Sequence, residues 1–121
     1  MKKNKRTIII TEKTPVMRGT IKAPPSKSYT HRAIMIGGIN GRCEVINPLF
    51  SNDTLATINA WKQLGSVIKK EPHFLRIKGF YGSPHPIGCA VNVGESGTLL
   101  IFILPIVALD KGDFKIRGKG T

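Results

Sequence analysis

The chain has 121 residues, 19 Lys+Arg against 7 Asp+Glu, a formal charge of +12 and 40% hydrophobic residues. That length supports one core of moderate size, as one domain or part of a larger one, and the hydrophobic content is too high for a disordered basic tail. The longest apolar run, residues 99–109, contains Pro105 and falls short of the roughly 20 residues of a membrane span. Lys2, Lys3, Lys5 and Arg6 precede Thr7-Ile8-Ile9-Ile10, but Glu12 and Lys13 end the apolar segment before a signal-peptide core forms. The chain reads as cytoplasmic. Cys43 and Cys89 have neither CxxC spacing nor a neighbouring His or Cys set, so the sequence indicates no disulfide framework and no metal site.

Short strands are expected at 8–11 and 16–21 around the Lys13-Thr14-Pro15 turn. Ala23-Pro24-Pro25 interrupts regular structure, and Ser26-Lys27-Ser28 then opens a helix of about ten residues, with Ala33, Ile34 and Ile36 on it and Gly37-Gly38 stopping it. A strand at 43–46 ends at Asn47-Pro48. Ser51-Asn52-Asp53 is an N-cap signal for a second helix, in which Leu55, Ile58, Trp61 and Leu64 recur at three-residue spacing before Gly65. Trp61 is expected in the core. Residues 67–69 and 74–78 read as a hairpin, 79–88 as a loop and 91–93 as a strand. Gly94-Glu95-Ser96-Gly97-Thr98 is a glycine-rich turn into an apolar helix, 98–109, that has to be buried on nearly all sides. A last strand lies at 114–117.

The order is β-β-α-β-α-β-β-β-α-β, an α/β or α+β fold in which βαβαββ-type units pack helices on short mixed sheets. A helix that is apolar all round has few partners in so short a chain. The sequence also stops just after a strand, in Gly118-Lys119-Gly120-Thr121. The expectation is a piece of a larger protein: 1–15 as a basic segment with the first strand, and 16–121 as an incomplete domain.

Pro25-Ser26-Lys27-Ser28-Tyr29-Thr30-His31-Arg32 concentrates an ammonium, a guanidinium, hydroxyls and an imidazole at a helix start. Unpaired amides and the positive macrodipole suit a phosphate or carboxylate there, with Lys27 and the serine hydroxyls as further ligands and Arg32 one turn on. Capping serines beside a solvated Lys27 and Arg32 fit the same residues. In the turn at 94–98 the amides can face a ligand, while Glu95 repels a simple phosphate and suits a ligand hydroxyl. A tight turn in which Ser96 or Glu95 caps the apolar helix fits equally. GxxxxGK[ST] is absent, so this is no P-loop. His31 with Ser28 or Glu95 lacks a third, orienting group for nucleophilic chemistry. His73 and His85, beside prolines, are expected in solvent. The aromatics form no RNA-binding octapeptide, which makes anionic small molecules the stronger partner class. A small basic nucleic-acid-binding module without catalytic activity is the alternative.

Ala23-Pro24-Pro25-Ser26-Lys27-Ser28-Tyr29-Thr30-His31-Arg32-Ala33 resembles the N-terminal signature of the 3-phosphoshikimate 1-carboxyvinyltransferases, or EPSP synthases. Asn47-Pro48-Leu49-Phe50-Ser51-Asn52-Asp53-Thr54 followed by Ala60-Trp61-Lys62-Gln63-Leu64-Gly65, and then Val93-Gly94-Glu95-Ser96-Gly97-Thr98, resemble two further segments in family order. The enolpyruvyl transferase acting on UDP-N-acetylglucosamine is a poorer match, with Lys-Asn in place of Lys27-Ser28. The resemblance implies part of one globular half of a two-domain fold. It implies transfer of the enolpyruvyl group of phosphoenolpyruvate to the 5-hydroxyl of shikimate 3-phosphate, through a tetrahedral intermediate and with release of phosphate, without cofactor, metal or membrane. It implies that Lys27 touches both substrates and is the catalytic residue of this stretch, that Ser28 and Arg32 hold shikimate 3-phosphate, and that Glu95, Ser96, Gly97 and Thr98 lie near phosphoenolpyruvate. Asp53 would order the basic cluster. The family carries an arginine three residues after the Gly-Thr, where this sequence has Ile101. The family's other catalytic groups, which complete the site, lie in its C-terminal portion.

Overall fold

The structure is a computed structural model that describes residue 8, residues 18–88 and residues 90–119. In chain order the elements are α1 (Lys27–Asn40), β1 (Arg42–Ile46), α2 (Asn52–Gln63), β2 (Val67–Lys70), β3 (Phe74–Lys78), β4 (Ala90–Gly94), α3 (Gly97–Val107) and β5 (Lys115–Gly118). The strand expected at 8–11 lies outside the described residues apart from Ile8, which is in no strand. Of the one expected at 16–21, residues 18–21 are exposed and unpaired in any sheet. Cys89 also lies outside the described residues.

Each helix starts on a serine whose extended backbone leaves its hydroxyl free to cap. Ser26 Oγ accepts from Tyr29 N, Ser51 Oγ from Thr54 N and Ser96 Oγ from Leu99 N. Around Ser51 the box is reciprocal, because Ser51 N donates to Thr54 Oγ1 at 2.8 Å. α1 is 14 residues long and passes through Gly37 and Gly38 rather than stopping there. Those glycines are contact sites: a Cβ on Gly38 would collide with the Trp61 ring, and one on Gly37 with Cys43 Sγ. The stop is Gly41, at φ 144, whose N–H turns back to the Gly37 carbonyl.

β1, β3 and β2 form an antiparallel sheet in that order, with Val45 opposite Leu75 and Ile77 between Cys43 and Ile68. The pleat sends Ile68, Leu75 and Ile77 inward, where they are buried, and turns Glu44, Lys69, Arg76 and Lys78 outward. β4 and β5 pair in parallel, and α3 is the crossover that parallel pairing requires. α2 packs against α1 on one side and β4 on the other. Trp61, Ile34, Leu64 and Leu75 are completely buried between these layers. His73 and His85 are exposed.

α3 departs from the all-round burial expected of it. Leu99, Ile103 and Val107, spaced four apart, are buried, whereas Leu100, Ile101 and Leu104 are 40%, 70% and 51% exposed. One stripe has the core as its partner and the rest faces outward. No helix among the described residues is long and apolar enough to cross a membrane.

Candidate anion site at the helix N-termini

α1 and α2 lie side by side in the same direction, as two rungs between them demonstrate. Lys27 Nζ donates to Asp53 Oδ2 at 2.9 Å, and His31 Nδ1 lies 2.7 Å from Thr57 Oγ1. Both pairs are 26 residues apart. Lys27 and His31 are one turn apart on α1, and Asp53 and Thr57 one turn apart on α2. Equal steps along both helices place the two N-termini at one edge, with their macrodipoles aligned.

A further link fixes that edge. Thr30 Oγ1 donates to the Ser26 carbonyl at 2.8 Å and accepts from Leu49 N at 2.9 Å, which ties the entry to α2 onto the first turn of α1. Thr54 Oγ1 in turn reaches the Leu49 carbonyl at 2.8 Å. The first intrahelical bond of α1 runs from Thr30 N to Ser26 O, and Tyr29 N is taken by the cap. The amides of Lys27 and Ser28 precede both, so they are the donors this helix end offers.

Lys27 and Asp53 are partly exposed, at 51% and 34%. Such a pair contributes little to stability, about 0–1 kcal/mol, and its consequence is orientation. The ammonium has three N–H donors. One is held by Asp53, leaving two for other acceptors. Ser28 and Arg32 are exposed. The ion pairs among the described residues are Lys27–Asp53 and Arg76–Glu44, so Arg32 is in neither.

The turn before α3 stands beside the first turns of α2. Gly94, at φ 59, sits so close to Ala56 that a Cβ there would be 3.7 Å from the alanine methyl. Ala56 is one turn beyond Asp53. Ser96 is buried and its Oγ accepts from Leu99 N at 3.2 Å, which realises the capping reading. Glu95, Gly97 and Thr98 are exposed. The structure thus brings Lys27, Ser28 and Asp53 together, with Arg32 one turn along. It sets the 95–98 turn on the far side of the α2 entrance, with no hydrogen bond or ion pair among the described residues joining it to Lys27, Ser28 or Arg32. A cavity of about 410 Å³ lined by Ala56, Asn59, Gln63, Asn92 and Gly94 opens next to that turn.

Sequence reasoning missed Thr30 and Thr57 and left His31 without a role. All three are buried. Their only signal in sequence is a hydroxyl or imidazole inside the first two turns of a helix, which becomes informative once the helices are known to be in register. Burial holds the His31 pKa below the ordinary histidine value; Asp53 opposes that shift and Lys27 adds to it. Among the described residues no group of three or more His, Cys, Asp or Glu is arranged to hold a metal ion.

The described residues form a mixed α/β fold in which the N-termini of α1 and α2 share one edge with a half-exposed lysine. Comparison with known proteins then defines the family. A model of EPSP synthase (3-phosphoshikimate 1-carboxyvinyltransferase) matches residues 11–120. The 3-phosphoshikimate 1-carboxyvinyltransferase of Methanococcoides burtonii is 41% identical over 105 residues, covering 87% of this chain and 25% of that protein. The one from Natronomonas pharaonis is 43% identical over 84 residues, 69% of this chain and 19% of that protein. A solved EPSP synthase from Acinetobacter baumannii superposes with a TM-score of 0.77 at 28% identity, covering 84% of this chain and 24% of that one. The chain belongs to the EPSP synthase family. It spans about a quarter of the length of these relatives.

Proposed function

We propose that this chain forms the shikimate 3-phosphate edge of a 3-phosphoshikimate 1-carboxyvinyltransferase, acting in the cytoplasm on two anionic substrates and needing the rest of the family's length to complete the site. The observation that carries this reading is the Lys27–Asp53 rung, which holds a lysine at 2.9 Å from its partner at the common end of two helices. Residues 16–121 act as one partial domain in this reading.

The chemistry follows from the donors at that edge. The amides of Lys27 and Ser28, the Ser28 hydroxyl and Arg32 take the phosphate of shikimate 3-phosphate, with the α1 dipole adding to the field and Arg32 binding two oxygens at once. Asp53 holds one Lys27 N–H, and the two remaining donors reach one substrate each, bringing the 5-hydroxyl and phosphoenolpyruvate into contact. As the hydroxyl gives up its proton and its oxygen bonds to the central carbon of phosphoenolpyruvate, whose methylene takes a proton, the Lys27 charge offsets the negative charge of the tetrahedral intermediate. The intermediate then loses phosphate and a proton to restore the enol ether. Glu95, Ser96, Gly97 and Thr98 form the neighbouring wall for phosphoenolpyruvate, where the absence of a side chain on Gly97 permits close approach. Proton transfer is assigned to no residue of this chain.

Calorimetric titration of the chain with shikimate 3-phosphate tests the reading. Saturable binding that is weakened at least tenfold by Lys27→Ala is the expected result. A steep salt dependence with a generic oligonucleotide, combined with indifference to shikimate 3-phosphate, would favour the nucleic-acid module instead.

A further inference from the structure

The second rung between α1 and α2 has a proton arrangement that the geometry itself decides. Thr57 Oγ1 lies 3.1 Å from the Asp53 carbonyl and donates its only proton there. With that proton committed, the hydroxyl accepts from His31 Nδ1, 2.7 Å away, which selects the imidazole tautomer with its proton on Nδ1 and Nε2 as a bare acceptor. Among the described residues Nε2 has no hydrogen-bond partner, and His31 is 1% exposed. The contacts link the helices stepwise: His31 Nδ1–H to Thr57, Thr57 O–H to the Asp53 carbonyl, and Lys27 Nζ–H to Oδ2 of the same aspartate.

We infer that His31, in its neutral Nδ1–H form, is a positioning residue: it fixes the first turn of α2 against α1 and thereby holds Asp53 where it orients Lys27 toward the anion site. The inference rests on the shikimate 3-phosphate reading for its consequence in binding, but not for the lock itself. Among the described residues, the ionisable groups facing the ring are Lys27 from its own helix and Asp53 from α2. On the packed sheet Cys43 faces α1 farther along, at Gly37, whereas Arg42, Glu44, Arg76 and Lys78 are exposed on the outer face. Among the described residues, Asp53 is therefore the carboxylate placed to stabilise an imidazolium, and it is already engaged by Lys27. A second proton on Nε2 would sit buried and unpaired, so acidification opens the lock.

Imidazole ¹⁵N shifts of the 121-residue chain across a pH series test the lock directly. The expected spectrum has His31 protonated on Nδ1 and titrating below the ordinary histidine value. A resonance protonated on Nε2, or titration at or above the ordinary histidine value, overturns the inference. Two variants test the consequence. His31→Asn returns an N–H donor to Thr57 without a titrating ring, so it is expected to keep shikimate 3-phosphate binding and to flatten its loss at acid pH. His31→Leu fills the space without the donor and is expected to weaken binding about tenfold and to move the Asp53 and Thr57 amide resonances as the first turn of α2 loosens. If wild type binds and both variants match it in affinity and pH profile, the positioning role is wrong. If no form binds shikimate 3-phosphate while His31→Leu still moves the Asp53 and Thr57 amide resonances, the lock stands and the substrate reading fails.

Discussion

At the scale of single residues, the contacts that matter are those where nothing can move. Gly38 faces the wholly buried Trp61 ring, with no room for a methyl group. Gly38→Ala is therefore expected to destabilise the chain by about 1–3 kcal/mol through overpacking, read as a lowered denaturation midpoint by Trp61 fluorescence. His31 adds a pH dependence whose sign is fixed. Its folded pKa is depressed by burial, so between that value and the ordinary value of about 6.5 the unfolded chain binds more protons than the folded one. Stability is complete above that ordinary value and declines as pH falls through the window below it. Urea unfolding at a series of pH values is expected to show this decline in wild type and a shallower one in His31→Asn. Burial also pushes the Cys43 thiol up, which keeps it protonated and slow toward alkylating reagents at neutral pH.

At the scale of elements, caps and stripes set the energetics. Ser51 closes a reciprocal box at the start of α2, and Ser51→Ala is expected to cost about 1 kcal/mol in chemical denaturation. In α3 the two faces separate cleanly. Ile103→Ala is expected to cost about 2–5 kcal/mol, whereas Leu104→Gln, one position on but 51% exposed, stays within about 0.5 kcal/mol. These elements also mark what sequence can reveal. The serine caps, the strand pairing of 67–70 with 74–78 and the core place of Trp61 were legible, because capping and alternation are local properties. The end of α1 was misread because Gly37 and Gly38 look like stops when nothing indicates that Cys43 and Trp61 occupy the space beside them. The burial of α3 was misread because composition reports how apolar a helix is, not which neighbours are present to cover it. The α1–α2 register, on which Thr57 and His31 depend, is a tertiary fact with no local trace beyond residue type.

At the scale of the whole molecule, the +12 charge is divided between surfaces. Lys27 stands at the helix-terminus edge with Arg32 one turn along α1, while Arg42, Lys69, Arg76 and Lys78 line a cavity of about 670 Å³ on the outer face of the three-stranded sheet, with Glu44 among them. The substrate reading assigns function to the first group alone. Ile101, where the resemblance implies an arginine, is 70% exposed on α3, so a cation there meets solvent and not the core. A chimera carrying residues 18–119 in place of the matching segment of the Methanococcoides burtonii relative is expected to turn over shikimate 3-phosphate and phosphoenolpyruvate, and Ile101→Arg in that chimera to raise kcat/KM. A change in turnover without any change in KM for phosphoenolpyruvate would place residue 101 away from that substrate.

The central claim is that the common end of α1 and α2 receives shikimate 3-phosphate, and amide shift mapping on the ¹⁵N-labelled chain addresses it most directly. The account predicts saturable shifts centred on the Lys27 and Ser28 amides and the Arg32 guanidinium, lost in a folded Lys27→Ala variant. A folded chain that gives no saturable response at millimolar ligand, or one whose shifts centre on Arg42, Arg76 and Lys78 and persist in Lys27→Ala, would contradict it.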